Sequence, residues 1–426
     1  MAREQGFSTR QIHGGHQPDM QTGSRAVPIY QTTSYVYPDA DAAARIYGLT
    51  QKGHIYTRLD NPTNAILEER LALLEGGSGA LVTASGMAAI LYAILNIAGI
   101  GDEIIAAKSL YGGTHTLFTQ RMEKQFGIKV HLAEADDADS FARYINEKTK
   151  AIYFESMGNP GINIPAMEEI CAIAHAHGIP VICDNTFGTP YLVDMKKWGV
   201  DIVVHSLTKY MGGHGTSVGG AIVDMGVFDW GNGKFPALVE PDETYHGIVY
   251  GDNMETAYIT KARAQVMRDT GACLSPFNAF LILLGIETLS LRMEKHSENG
   301  LAVARYLEKH PKVAWVRYPG LETSPDYERG QKYFPRGCGG ILTFGIVGGL
   351  EAGKQFIDSL QLFSLLANVA DAKSLVIHPA STTHSQMSEE EQIAAEIPPE
   401  MIRLSIGLED IADIIADLEY AFDKVK

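Results

Sequence analysis

A lysine that follows a predicted buried strand is the residue of this sequence best suited to covalent chemistry. Residues 202–205 form an apolar run, and Lys209 comes soon after it, preceded by Ser206 and Thr208 and followed by glycines. A lysine amine can form a Schiff base with an aldehyde, and small hydroxyl side chains suit a phosphate bound beside it. Because short motifs also occur by chance, a solvated surface lysine is the alternative when this motif is taken alone.

An acidic residue at the end of a second predicted strand fits the same chemistry. The apolar run 181–183 ends in Asp184, upstream of Lys209. A carboxylate at the end of a buried strand is costly unless it is paired, and the protonated nitrogen of a pyridine ring would pair with it. An amine for the aldehyde and an acid for the ring nitrogen are what a pyridoxal phosphate (PLP) enzyme requires.

The sequence resembles the Cys/Met-metabolism family of PLP-dependent enzymes over nearly its whole length. Long motifs in the family's order carry the resemblance, from residues 28–34 (PIYQTTS) through the lysine motif 204–215 to residues 403–407 (RLSIG). It implies PLP as the cofactor. It also implies an α/β fold of the aminotransferase-like kind, fold type I, with a large, doubly wound, mainly parallel sheet domain and a smaller C-terminal α/β domain.

The resemblance places the cofactor phosphate at a predicted strand-to-helix turn. Backbone N–H groups at a helix N-terminus bind phosphate well, and the family uses the segment that matches Ser85, Gly86 and Met87, with further donors at Ser206 and Thr208. A common strand–helix turn with a serine cap is the alternative explanation of the same segment. A Gly-x-Gly-x-x-Gly fingerprint does not follow the first predicted strands, so the sequence gives little support to a dinucleotide site.

Two more residues are assigned to the cofactor by the resemblance. The family's ring-stacking tyrosine matches Tyr111, whose phenol can also exchange a proton with the leaving group. The family's asparagine near the 3-oxygen of the cofactor matches Asn159, which is also expected near the substrate. A packed loop tyrosine and a turn-forming asparagine before proline explain the two residues equally well from local sequence.

Tyr56 and Arg58 lie ahead of any predicted core element. In the family, the matching Tyr and Arg cross to the neighbouring subunit and clamp its cofactor phosphate, and the forked guanidinium suits that anion. The resemblance therefore implies a homo-oligomer, a dimer of dimers, with Tyr56 also near the substrate. The alternative is a surface pair on a mobile arm.

The resemblance assigns the substrate to two residues near the C-terminus. Arg403 stands on the apolar segment 401–406, where a partly buried arginine needs an anionic partner; the family's arginine in this context grips the substrate α-carboxylate. Ser374 matches a family substrate contact. A structural salt bridge is the alternative for Arg403.

An alternation of strand and helix patterns must position these residues. Strands are predicted near residues 80–83, 104–107, 129–132, 151–155, 181–184, 202–205, 313–317, 341–346 and 401–406. Helices are predicted at 62–75, 87–97, 166–177, 350–360 and 411–425. This rhythm is typical of a largely parallel sheet that binds ligands at the carboxyl ends of its strands.

Two long segments interrupt the rhythm. Residues 228–251 lack periodicity and predict an excursion loop at the surface or over the site. Residues 275–310 predict a long helix with a break or bend near Gly300. We expect an N-terminal arm over 1–60, a PLP-binding domain over 61–285 and a small domain over 286–426.

Composition limits the partners. The 426 residues carry a formal net charge of −16, which argues against nucleic acid or an anionic membrane as the main partner. The four cysteines form no Cys-x-x-Cys pair or zinc pattern, and the histidines form no metal set, so we expect no catalytic metal. We expect Cys171 and Cys183 in the core and a reduced cytoplasmic protein without a signal peptide, and the glycines on either side of Cys338 allow that thiol to be exposed.

Within the family, the closest resemblance is to members that replace the γ-substituent of O-acetyl-L-homoserine with sulfide or a thiol, giving homocysteine or a thioether such as methionine. The motifs 53–62, 231–250 and 285–295 carry it. A methionine or cystathionine γ-lyase is the alternative, but methionine γ-lyases commonly have cysteine where this chain has Gly113. A catalytically silent PLP-binding protein is a third reading, which Lys209, Asp184 and Arg403 together oppose. The sequence does not decide between acetyl and succinyl leaving groups, or between sulfide and methanethiol.

Overall fold

The computed structural model describes residues 5–425 except 49, 52, 383–389, 391 and 393–396. Its strands form two sheets, and most of the strands predicted from the sequence are among them. The strands are β1 Gly79–Thr83, β2 Glu103–Ala107, β3 Lys129–Ala133, β4 Thr149–Glu155, β5 Val181–Asp184, β6 Ile202–Ser206, β7 Gly220–Asp224, β8 Val313–Arg317, β9 Ile341–Ile346, β10 Ser364–Leu365, β11 Leu375–Ile377 and β12 Met401–Ser405.

Helices connect the strands and cover the sheets. The α-helices are α1 Phe7–His13, α2 Ala40–Tyr47, α3 Pro62–Glu75, α4 Gly86–Leu95, α5 Gly112–Thr116, α6 Glu123–Phe126, α7 Ala138–Ala142, α8 Met167–Ala176, α9 Thr189–Leu192, α10 Pro236–Val239, α11 Ala257–Lys261, α12 Arg268–Thr270, α13 Pro276–Ile286, α14 Leu289–Glu308, α15 Tyr327–Tyr333, α16 Gly349–Ser359 and α17 Ile411–Lys424. Shorter helical turns are Leu117–Met122, Lys196–Trp198, Glu243–Tyr245, Tyr250–Asn253 and Ala262–Met267.

Local signals explain the ends of α3. The side chain of Asn61 accepts a hydrogen bond from the N–H of Thr63 at 2.9 Å, and Pro62 occupies the first turn, where its missing N–H costs nothing. Gly76 ends the helix in the left-handed region at φ 73°, which glycine adopts without strain. The predicted start and end of this helix are confirmed.

The large sheet has the strand order β1-β7-β6-β5-β4-β2-β3. Strands β2 to β6 pair in parallel, whereas β7 runs antiparallel to both β1 and β6. Residues of β2, β4, β5 and β6 are mostly buried, as expected where helices cover both faces of a parallel sheet. The smaller sheet, β10-β11-β12-β9-β8, is antiparallel except for the β10–β11 pair. The predicted fold class is confirmed.

The structure differs from the predictions at β7 and in the long helical segment 275–310. Strand β7 was not predicted, because its sequence opens with glycines and lacks alternation. Helix α14 runs unbroken through Gly300, where a Cβ would lie 2.6 Å from the carbonyl of Gly339. The bend lies instead between α13 and α14, whose axes differ by 62°, where the carbonyl of Gly285 accepts a 2.7 Å hydrogen bond from Arg292.

The segment 228–251 packs against the large domain. Trp230 is buried and stacks on Tyr258 with ring centroids 5.1 Å apart, and α10 lies within the segment. The thiol of Cys338 is buried rather than exposed, and burial raises its pKa to about 12. In the described part of the chain no helix is by itself long and apolar enough to cross a membrane; the bent pair α13–α14 passes by length and composition only.

Candidate active site

The carboxyl ends of β4, β5 and β6 meet the first turn of α4 at one edge of the large sheet. A cavity of about 270 Å³ opens there. Its walls come from both sheets and the segments between them. It is lined by Ser85, Gly86, Met87, Ile90, Tyr111, Glu155, Met157, Asn159, Asp184, Thr186, Phe187, Ser206, Thr208, Lys209, Val218, Ala367, Val369 and Arg403.

Lys209 is presented by a tight turn that follows β6. Its carbonyl accepts a 2.7 Å hydrogen bond from the N–H of Gly213, and the buried side chains of Leu207 and Tyr210 anchor the turn on either side. The Nζ atom donates to Oδ1 of Asn368. Burial, with a smaller contribution from the charge of Arg403, lowers the pKa of Lys209 to about 8. A lowered pKa leaves more of the amine neutral near neutral pH than an ordinary lysine has, which suits nucleophilic and proton-transfer work.

Asp184 ends β5 on the same face of the sheet. Its Oδ1 accepts hydrogen bonds from the N–H of Thr186 at 2.9 Å and from its hydroxyl at 2.5 Å. Burial raises the pKa of Asp184, and the bonds from Thr186 oppose that rise. No ion pair involves Asp184 among the residues that the structure describes, so the carboxyl is available to a cationic partner in the cavity.

The N-terminus of α4 forms an anion-binding cradle. Ser85 caps the helix by accepting a 3.2 Å hydrogen bond from the N–H of Ala88, and the N–H groups of Gly86 and Met87 have no acceptor within the helix. A Cβ on Gly86 would lie 2.7 Å from Cβ of Ser206, so only glycine allows α4 to approach β6 this closely. The helix dipole and these N–H groups suit a phosphate.

Arg403 reaches the cavity from β12 of the smaller sheet. It is buried, and its Nη1 donates to Oδ1 of Asn159 at 2.9 Å. Burial lowers the pKa of Arg403 to about 10. No carboxylate pairs with it in the described part of the chain, so the structural salt bridge considered from the sequence is not found there. A buried guanidinium without an anion leaves room for the carboxylate of a ligand.

Tyr111 lies at the rim and is 45% exposed. Its backbone N–H donates to Oε1 of Glu155 at 2.6 Å, which ties the start of α5 to the end of β4. A Cβ on Gly113 would come within 2.6 Å of the Tyr111 ring. The ring is therefore held at the mouth of the cavity by a loop that needs glycine.

Three predicted residues lie outside this cavity. Tyr56 is 39% exposed, and the guanidinium of Arg58 lies 5.2 Å from the centre of its ring; the Nε atom of Arg58 is buried without an acceptor. Ser374 is fully buried, and its hydroxyl donates to Glu409 at 2.9 Å and accepts from the N–H of Gly407 at 2.9 Å. The hydroxyl of Ser374 thus links the side-chain carboxylate of Glu409 to the backbone of Gly407.

The sequence reasoning missed three polar residues of the site, which are Glu155, Thr186 and Asn368. Glu155 ends β4 as Asp184 ends β5, and this shared position was a signal in the sequence. Asn368 had no such signal, because it lies between β10 and β11 in a segment without periodicity. Ala370, in the left-handed region at φ 62°, shapes that segment, and its N–H donates to the Ser405 hydroxyl at 2.7 Å.

These groups fit PLP in chemical type: an amine for the aldehyde, a carboxyl for the ring nitrogen, a helix N-terminus for the phosphate and an aromatic ring at the mouth. Groups of His, Cys, Asp and Glu suited to a metal ion are not found among the described residues. Fold and site together define a PLP-dependent enzyme of fold type I. The family model described as Cys/Met metabolism PLP-dependent enzyme matches residues 8–423, and the chain belongs to that family.

Curated relatives are similar to this chain over nearly their whole lengths. The chain is 53% identical to the O-acetyl-L-homoserine sulfhydrylase of Leptospira meyeri, over 97% of this chain and 96% of that one. It is 48% identical to the homocysteine synthase of Schizosaccharomyces pombe, over 98% of each chain. A Campylobacter jejuni structure, provisionally described as an O-acetylhomoserine (thiol)-lyase, contains N'-pyridoxyl-lysine-5'-monophosphate; it has a TM-score of 0.94 at 44% identity and covers 98% of this chain and 100% of its own.

Proposed function

We propose that this chain replaces the γ-acetoxy group of O-acetyl-L-homoserine with sulfide or a thiol, giving L-homocysteine or a thioether such as methionine, and acetate. The structural observation that supports an amino-acid substrate is the buried guanidinium of Arg403, which has no carboxylate partner among the described residues and lines the same cavity as Lys209. The acyl group and the sulfur donor rest on the names of the relatives. Those relatives do not favour the γ-lyase alternative.

The residues of the cavity have distinct tasks in this proposal. When bound, PLP supplies an electron sink next to the substrate Cα. Lys209 holds the cofactor and, once released, moves protons to and from the substrate carbons. Asp184 keeps the ring nitrogen protonated, Arg403 binds the α-carboxylate with Asn159 beside it, and Tyr111 stacks on the ring and assists protonation of the leaving group.

In this proposal, the amine of Lys209 binds Asn368 when it is not bonded to the cofactor. Its Oδ1 already accepts from Nζ of Lys209, which limits the positions that a long, flexible side chain can take. The phosphate is held by Ser85, the N–H groups of Gly86 and Met87, and the hydroxyls of Ser206 and Thr208. The Thr208 hydroxyl is oriented by a 3.1 Å hydrogen bond from the N–H of Gly219.

We propose that the site is completed by a second copy of the chain within a homotetramer. Tyr56 and Arg58 lie outside their own cavity, and the orphaned Nε of Arg58 supports an acceptor supplied elsewhere. The division into an arm over 1–60, a cofactor domain over 61–285 and a small domain over 286–426 is part of the proposal; the bend between α13 and α14 supports the second boundary. Four free cysteines support a reducing, cytoplasmic location.

Product analysis tests the reaction. Purified holoenzyme is given O-acetyl- or O-succinyl-homoserine, each with and without sulfide, and homocysteine, acetate, succinate and 2-oxobutyrate are measured. We expect homocysteine and acetate from the acetyl ester only when sulfide is present, and none from Lys209→Ala. Release of 2-oxobutyrate at the same rate without sulfide would identify a γ-lyase, and preference for the succinyl ester would overturn the proposed substrate.

A further inference from the structure

Glu155 is a second carboxyl group in the cofactor cavity. It ends β4 and lies in register with Asp184, the end of β5, so the two residues are neighbours about 4.8 Å apart along the hydrogen-bonding direction of the sheet. Glu155 is 6% exposed and lines the same cavity. It forms no ion pair with any residue that the structure describes.

Two neighbouring buried carboxyl groups cannot both ionise without a large cost. The groups that face this pair from other elements are Lys209 and Arg403 across the cavity and His205 on β6, whose charge acts on Asp184. Tyr153, on β4 itself, has its hydroxyl 3.5 Å from Oδ2 of Asp184. Asp184 accepts two hydrogen bonds from Thr186, which favour its charged form.

Glu155 is the better place for the proton. Burial and then the charge of Asp184 raise the pKa of Glu155 well above its usual range, and backbone hydrogen bonds from Tyr111 and Asn159 only oppose part of that rise. A protonated carboxyl still has a carbonyl oxygen that accepts hydrogen bonds. The 2.6 Å bond from the N–H of Tyr111 to Oε1 is therefore compatible with a neutral side chain.

The hydrogen bond from the N–H of Tyr111 also means that Glu155 fixes the position of the Tyr111 backbone. Tyr111 directly precedes α5, and its backbone N–H is held by a side chain that is itself fixed at the end of a buried strand. The rim tyrosine is otherwise half exposed, and its position depends on that anchor.

We propose that Glu155 is a positioning residue that works as a neutral acid: it anchors the backbone of Tyr111 so that the ring covers the cofactor, and it leaves Asp184 as the single charged carboxylate of the pair. This inference rests on the proposed function of the cavity and adds to it the protonation state and the role of one more carboxyl group.

The test compares Glu155→Gln and Glu155→Ala with the wild type. Glutamine keeps the neutral charge and the acceptor for the Tyr111 N–H, whereas alanine removes both. Glu134→Gln is the matched control, because Glu134 directly follows β3 of the same sheet but is exposed and paired with Lys108. The measurements are PLP affinity of the apoprotein, circular dichroism of the bound cofactor, and the infrared difference spectrum between each variant and the wild type.

We expect Glu155→Gln to bind PLP within about threefold of the wild type with an unchanged cofactor signal, and Glu155→Ala to bind it about ten- to a hundredfold more weakly with a reduced signal. The infrared difference between the wild type and Glu155→Gln should contain the band of a protonated carboxylic acid, which the Glu134→Gln control lacks. The proposal is overturned if that band is absent, or if the glutamine variant loses as much PLP affinity as the alanine variant.

Two further results also decide the matter. If Glu155→Ala does not fold, the infrared band still settles the protonation state, and Glu155→Leu, which fills similar space but has no acceptor for the Tyr111 N–H, replaces it as the test of the anchor. Wild-type behaviour of Glu155→Ala would refute the positioning role. None of these measurements uses O-acetylhomoserine, so a failure of the proposed reaction leaves their outcome readable.

Discussion

Replacing Arg403 with lysine should damage substrate use far more than cofactor binding. The guanidinium is buried, donates to Asn159 through Nη1 at 2.9 Å, and faces no carboxylate among the described residues. Its remaining N–H donors are free to hold a substrate carboxylate in the paired geometry that a planar fork allows. Lysine keeps the positive charge, but its ammonium group is a point charge that cannot form the two parallel hydrogen bonds of a guanidinium.

The expected magnitude follows from the hydrogen bonds that a lysine at this position cannot make. A charge-assisted hydrogen bond contributes about 1.5–3 kcal/mol, and Arg403→Lys removes one such bond to the substrate while it also releases Asn159. This free energy corresponds to roughly a ten- to a hundredfold fall in kcat/KM. Because Arg403 does not belong to the phosphate cradle or to the Lys209 turn, the content of bound PLP should not change.

Steady-state kinetics with O-acetylhomoserine and sulfide, together with the absorbance of the bound cofactor, test this expectation. Arg336→Lys serves as the control, because Arg336 is exposed and lies away from the cavity, with its Nη1 bonded to the carbonyl of Tyr191. The reasoning is refuted if Arg403→Lys keeps the wild-type kcat/KM. It is equally refuted if the variant loses PLP, since Arg403 would then be structural.

Three further outcomes are expected. Mixed Arg58→Ala and Lys209→Ala subunits should recover part of the activity, because one kind of hybrid site is intact; no recovery in hybrids shown to form would contradict a shared site. In the apoprotein, an amine-reactive reagent should label Lys209 increasingly as pH rises through about 8, because burial and the charge of Arg403 lower the pKa of Lys209. Peptide mass spectrometry measures this labelling, and Arg403→Met should move its midpoint to higher pH. A wild-type midpoint at the ordinary lysine pKa would exclude the lowered value. Burial raises the pKa of Asp224 to about 7, so its stabilising proton is lost as pH rises through 7. Asp224→Asn should therefore raise Tm at pH 8 by about 2–4 °C, with an advantage that shrinks as pH falls toward 4; an equal effect at both pH values would disprove it.

Local sequence was enough for the elements whose signals lie within them. The caps of α3, the strands β5, β8 and β9 and the alternating rhythm of the large sheet were predicted because apolar runs, Asn–Pro starts and glycine ends act over a few residues. Strand β7 was not predicted, because its pairing with β1 and β6, rather than its own sequence pattern, stabilises it as a strand. The position of the helix bend was also predicted wrongly because of tertiary packing. Gly300 is required by the backbone packed against it, not by a break in its helix.

The sequence by itself determined the chemical types of the site: an amine, an acid, a helix N-terminus and the family motifs around them. The tertiary structure decided which of these groups share a cavity. It brought Arg403 from the smaller sheet to Asn159, and Asn368 from an irregular segment to Lys209, across separations in the chain that no local pattern encodes. It also placed Ser374 in a buried bond to Glu409 and set Glu155 beside Asp184. Burial and charge in that shared space, which exist only once the sheets are assembled, are what lower the pKa of Lys209 and raise those of the two carboxyls.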